Sequence, residues 1–176
     1  MINKKTVICS TICNEEKNLK NFFNLVNKIS SLFQEYYLII IESDSRDKSF
    51  SIISHEMKNR NGEFKSLGNL KNKYFERTKR LEICRNEYLK IINEDKGLKG
   101  YDYMIVLDAD RVNDLLDPNS LKESILNLNN QNWSSLFPNQ SYLYYDIWAL
   151  RVQNLIENDC FDEFYKLVNK YSFKKS

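Results

Sequence analysis

The stretch that decides the fold is YDYMIVLDADRVN, residues 101–113. Met104, Ile105, Val106 and Leu107 form an unbroken apolar run, as in a parallel-sheet strand buried on both faces. The run stops at Asp108-Ala109-Asp110. In an extended chain residues i and i+2 point the same way, so two carboxylates face one spot and repel. They either rest in solvent or meet a cation. Paired hard oxygens suit Mg2+ or Mn2+, with the remaining ligands drawn from water and a substrate's phosphates.

Working outward, the same plan recurs. KTVICS opens as a β-branched strand over Thr6 to Ser10 and turns near Cys13-Asn14. Asn14 is placed to cap a helix, with Glu15 and Glu16 at its positive end and Leu19, Phe22, Phe23, Val26, Ile29 and Phe33 at helical spacing. Leu38 to Ile41 read as a second buried strand, followed by Glu42, Ser43 and Asp44. Asp47 caps a helix carrying Phe50, Ile53 and Met57, with Gly62 at its C-terminal end. Phe64 to Leu67 suggest a short third strand, residues 76–93 a long helix, and 102–107 the strand already quoted. Asp117-Pro118 starts a helix lined by Leu121, Ile125 and Leu128, residues 133–137 read as a strand, and the tail from about 150 as helical. Strands alternating with helices imply an α/β fold with a mostly parallel sheet flanked by helices, in one domain over 1–176.

Composition narrows the function. The chain has 176 residues, 42% hydrophobic and 28% charged, enough for a core. Its net charge of +2, with both signs dispersed, leaves no footprint for nucleic acid. No run is long enough for a membrane span, and MINKKTVICS lacks the form of a signal peptide. With four cysteines, none in a C-x-x-C pair, and His55 as the one histidine, a zinc site or a histidine-based triad is disfavoured. Cytosolic thiols follow, so the expected location is cytoplasmic, with peripheral membrane attachment left open. Any catalysis falls to carboxylates and arginines.

Ligands of open α/β sheets bind beyond the carboxyl ends of the strands. Thr11 to Asn14, Glu42 to Asp44 and Asp108 to Asp110 would share that edge. In the helix ERTKRLEICRNEYLKII the apolar stripe is Leu81, Cys84, Tyr88 and Ile92. Arg77 and Arg85 fall in or beside it and Arg80 at its margin. Inward arginines need an anion, either a diphosphate or a site carboxylate, unless they snorkel to solvent. Tyr142, Tyr144, Tyr145 and Trp148 surround Asp146, which suits a sugar face with a general base, or a hydrophobic plug with a helix cap.

In order, ICSTICNEEKNL, IIESDSRDKS, RLEICRNEYL, VLDADRVN and YYDIWALR resemble nucleotide-sugar glycosyltransferases of the GT-A fold, a Rossmann-like sheet. The likeness is greatest to the branch related to fungal capsule-associated mannosyltransferases and covers residues 5–151. The resemblance implies a metal-dependent transfer from a nucleoside diphosphate sugar to a hydroxyl of a glycan, lipid or protein acceptor. By resemblance, Thr11 and Cys13 border the base, and Glu42 with Asp44 contacts base or ribose. Arg80 or Arg85 faces the donor, Asp108 lies near the ribose, and Asp110 holds Mn2+ or Mg2+. Asp146 matches the acceptor-side base, with Tyr145 and Trp148 beside it. The family's common D-D-G-S-x-D-G-T is here E-S-D-S-R-D-K-S. Nothing after Arg151 is recognisable, so the chain reads as a short form of the fold or a piece of a larger enzyme. Inversion and retention both stay open. A nucleotidyltransferase would need a glycine-rich N-terminal loop, which STICNEEKN lacks; a non-catalytic sugar-nucleotide-binding domain is the other alternative.

Overall fold

The computed structural model describes residues 1–128 and 131–136. The chain divides into two compact units, Met1–Asn132 and Trp133–Ser176. The first unit holds four strands, β1 (Ile2–Ile12), β2 (Phe33–Glu42), β3 (Gly62–Ser66) and β4 (Tyr103–Val106). Its α-helices are α1 (Leu19–Ser30), α2 (Ser49–Glu56), α3 (Arg77–Glu94) and α4 (Pro118–Leu128). In the second unit the described residues 133–136 form no strand, contrary to expectation. The expectation for Phe137 lies outside the described residues.

The sheet order is β3-β2-β1-β4, and every pairing is parallel. Ile8 of β1 pairs with Leu38 of β2 and Ile105 of β4. Alternate residues feed two cores. Ile8, Leu38 and Ile40 meet α1, α2 and α4 through Leu19, Val26, Ile29, Ile53 and Ile125. Val7, Cys9, Ile39 and Ile41 meet α3 through Cys84 and Tyr88. Each fully buried aliphatic side chain here contributes roughly 1.5–3 kcal/mol. The chain builds β1 to β3 in one direction with helices on one face, then returns by α3 across the other face to place β4 beside β1.

Both long strands exceed their apolar runs. Lys4 and Lys5 extend β1 because Asp102, just before β4, takes Lys4 Nζ at 2.7 Å and the Lys5 N–H at 2.9 Å. Gly62 does not end a helix; it opens β3 opposite Leu38. A Cβ there would lie 2.1 Å from the Leu38 carbonyl oxygen, so only glycine lets the strands pair at that point. The cap at Asp117 is as expected: its carboxylate accepts the Asn119 and Ser120 N–H groups, both at 3.1 Å. Among the described residues, no helix is long and apolar enough to cross a membrane.

Candidate functional site

Parallel pairing puts all four strand ends on one edge, and each is followed by a residue in the left-handed region. These are Asn14 (φ 57°) after β1, Asp44 (φ 63°) after β2, Gly68 (φ 65°) after β3 and Arg111 (φ 71°) after β4. A non-glycine residue there costs on the order of 1 kcal/mol or more. Asn and Asp tolerate it; Arg111 does not, and is held by Nε bonding to Asp114 Oδ2 at 2.8 Å. Non-glycine residues in the left-handed region often cluster at functional sites, which makes this edge the candidate one. Within it, the chain reverses direction between β1 and β4, which makes the crevice between their ends the switch point where α/β sheets bind ligands.

The loops after β1 and β2 are laced together. Asn14, Glu15 and Glu16 donate their N–H groups to Ser45 Oγ, Ser49 Oγ and Asp47 Oδ2 at 3.1, 2.8 and 3.0 Å. In return, Arg46 and Lys48 donate theirs to Asn14 Oδ1 and Glu16 Oε2 at 2.7 and 3.0 Å. Asn14 is therefore not a helix cap. The helix starts at Leu19 after Asn18, whose Nδ2 bonds Glu15 Oε2 at 2.6 Å, and the Asn14 side chain serves the neighbouring loop instead. Asp47 also accepts the Ser49 N–H at 2.9 Å, so it supports the start of α2 as expected. Burial alone would raise the Asp47 pKa, but the Ser49 and Glu16 donors outweigh it and hold the carboxyl below the usual range.

Glu42 lies beneath this edge, 4% exposed. Its Oε1 accepts the Ser45 N–H at 3.0 Å and its Oε2 the Ser66 hydroxyl at 2.5 Å, tying β2 to β3. Asp44 accepts the Lys71 N–H at 2.7 Å and pairs with Arg80 Nε at 3.3 Å. Arg80 Nη1 also bonds the Tyr74 and Phe75 carbonyls at 3.0 and 2.5 Å. Arg80 is therefore the inward arginine, while Arg77 and Arg85 are exposed. The buried line of α3 is Arg80, Cys84, Tyr88, at intervals of four residues, and the other two arginines lie off it. Cys13 is exposed beside this group; partial burial first, then Asp44 and Glu42, raise its thiol pKa. Cys84 is buried against the Ser43 hydroxyl at 3.4 Å. Burial pushes the Cys9 thiol up to about 12. Neither buried thiol is fit to be a nucleophile.

Leu107 and Ala109 alternate into the core, leaving Asp108 and Asp110 exposed on the opposite side of the chain. The strand itself ends at Val106, so the pair sits on the bend that follows and not on the strand. Asp110 Oδ1 accepts the Val112 N–H at 3.4 Å, and Asn113 Nδ2 bonds the Asp108 carbonyl at 2.8 Å. Burial raises the Tyr88 pKa; Arg85 opposes the rise, and Cys9 and Asp108 add to it. Asp108 and Asp110 are exposed hard-oxygen donors of the kind that suits Mg2+ or Mn2+. Among the described residues no cluster of three or more His, Cys, Asp or Glu side chains forms, so such an ion would complete its shell with water and phosphate.

Between α1 and the loop 108–116 is an open cleft of about 330 Å³, reached from Asp108. Thr11 is half-buried at the end of β1. Asp146, Tyr145 and Trp148 lie outside the described residues. Sequence reading missed Ser45 and Ser49, which accept from a distant backbone, and Ser66, which donates to Glu42, because such a serine looks like any loop serine. It also missed the asparagines of α1 that line the cleft. Comparison of the chain with family models, curated proteins and solved structures finds no match.

Proposed function

We propose that the chain is a metal-dependent glycosyltransferase acting on a nucleoside diphosphate sugar. The observation that carries the reading is the crevice at the switch point, with Thr11 to Cys13 on one side and Asp108 and Asp110 on the other. In this reading the nucleoside rests against the β1 and β2 ends, where Glu42 and Asp44 fix the loops. The diphosphate lies toward Asp108 and Asp110, near Arg85. A divalent cation held by the two carboxylates would offset the charge that builds on the leaving diphosphate. Arg85, exposed on α3, would offer its guanidinium to the diphosphate. Arg80 acts through Asp44, which it braces. The acceptor would be a glycan, lipid or protein hydroxyl, for which the resemblance implies Tyr145 and Trp148. If the anomeric centre inverts, Asp146 takes its proton as the new C–O bond forms and the bond to the diphosphate breaks.

The test is calorimetry with UDP and GDP, with Mn2+ and with EDTA, on the wild type and Asp110→Asn. Two carboxylates beside a diphosphate repel it without a cation, so binding should require the metal. Asp110→Asn should weaken metal-dependent binding by about tenfold or more, the scale of a lost charge-assisted contact. Equal affinity with and without metal would overturn the assignment.

A further inference from the structure

Beside the β1–β4 crevice, and sharing Asp108 with it, lies the cleft against α1. We propose that the cleft between α1 and the loop 108–116 is a subsite for a neutral polyhydroxylated ring, that is, a sugar. Which sugar of the reaction fills it depends on the glycosyltransferase reading above; that it binds one does not. The cleft measures about 330 Å³, at the small end of the roughly 300–1,000 Å³ of ligand sites, which suits one or two rings.

Its chemistry selects the ligand. Asn18, Asn21 and Asn24, three residues apart on α1, line one side, and Asn113 lines the other. Each amide offers two donors and an acceptor, the mixture that adjacent hydroxyls require. Asn18 and Asn113 each use Nδ2 internally, on Glu15 and on the Asp108 carbonyl, which fixes their side chains. Phe22, Leu25, Ala109 and Leu116 supply an apolar surface for C–H groups. The charges cancel: Lys28 and Arg111 face Asp108 and Asp114, and Arg111 is already paired with Asp114 at 2.8 Å. A cleft of that balance has no net field for a phosphate or carboxylate, so a neutral ligand fits it best. Asparagine is also a poor helix former, and Asn21 and Asn24 are exposed inside α1, where folding gains nothing from them. By contrast Asn27, on the same helix, has a structural bond, accepting from Arg60 Nη1 at 2.5 Å.

The test is nuclear magnetic resonance of the labelled full chain, titrated with the methyl glycosides of glucose, galactose and mannose. At least one glycoside should shift the side-chain amide signals of the four asparagines. Asn21→Ala/Asn24→Ala, which favours the helix, should weaken that binding by about tenfold, the scale of two lost neutral hydrogen bonds. Unmoved cleft signals with all three glycosides, or equal affinity in the double variant, would overturn the proposal. Adding nucleoside diphosphate with Mn2+ identifies the ring's source. If a nucleotide sugar displaces the glycoside and the bare diphosphate does not, the cleft takes the donor's sugar. If the glycoside stays bound beside the nucleotide sugar, the cleft takes the acceptor's. Glycoside binding without nucleotide binding would leave the cleft assignment standing and retire the transferase reading.

Discussion

Replacing Arg80 by alanine removes the brace beneath the β2 strand end. The guanidinium makes contacts at 3.3 Å to Asp44 Oδ2, 3.0 Å to the Tyr74 carbonyl and 2.5 Å to the Phe75 carbonyl. The Arg80 and Asp44 side chains are 18% and 11% exposed, so solvent screens the pair only in part. Breaking a buried pair costs about 3–5 kcal/mol, and a surface pair contributes at most about 1. The 3.3 Å separation and the Lys71 N–H that stays with Asp44 place this case at about 3 kcal/mol. For a chain of this size that is a fall in melting temperature of about 6–12 °C. Arg80→Lys should recover little, because an ammonium cannot span a carboxylate and two carbonyls at once. Asp44→Asn keeps an amide that tolerates the left-handed backbone, so the double variant Asp44→Asn/Arg80→Ala should lose less than the sum of the singles. Thermal unfolding of the four proteins by circular dichroism decides it. A shift below about 2 °C for Arg80→Ala, or strict additivity, would refute the brace.

Two further outcomes follow from the loops and strands. Gly62→Ala should destabilise by about 3 kcal/mol or more, since the new methyl meets the Leu38 backbone. Gly100→Ala, with nothing within 4 Å, should be close to neutral; urea midpoints compare the two. Asp47 has a folded pKa below the ordinary carboxylate value of 3.8, so its contribution is present above that pH and is lost as pH falls through the lower folded value. Asp47→Asn should therefore be less stable than wild type at neutral pH, and the gap should close in acid unfolding below about pH 4. A gap that persists unchanged at pH 2 would assign the effect to shape instead of charge.

Leu38–Ile41 was legible as a strand buried on both faces, because such burial leaves no room for polar residues. Met104–Leu107 was legible as a strand but not in its burial, since β4 lies at the sheet edge with Met104 49% and Val106 46% exposed. The ends were not legible. Lys4 and Lys5 belong to β1 through distant partners, Asp102 for both and Glu35 of β2 for Lys5. Asn14-Glu15-Glu16 has the composition of a helix start, yet the bonds that place those residues come from Ser45, Asp47 and Ser49. Gly62 followed a helix and read as its terminator; a close approach to Leu38 leaves no trace in local pattern. For the site, the acidic pair after β4 and the polar cluster after β2 stood out by charge next to apolar runs. The arginine that faces inward did not, since a spacing of 100° per residue locates a stripe only to within one neighbour. Contact lines of four fixed it at Arg80.

The lacing of the loops after β1 and β2 has a consequence for transplantation. Five backbone donors, those of Asn14, Glu15, Glu16, Arg46 and Lys48, are satisfied by side chains of the other loop, so neither conformation is encoded in its own residues alone. The heritable piece is the pair, residues 13–16 together with 44–49. A graft of either one alone would deliver donors whose acceptors stayed behind, and a substitution at Asn14 would be read out first in the shape of the loop that carries Arg46.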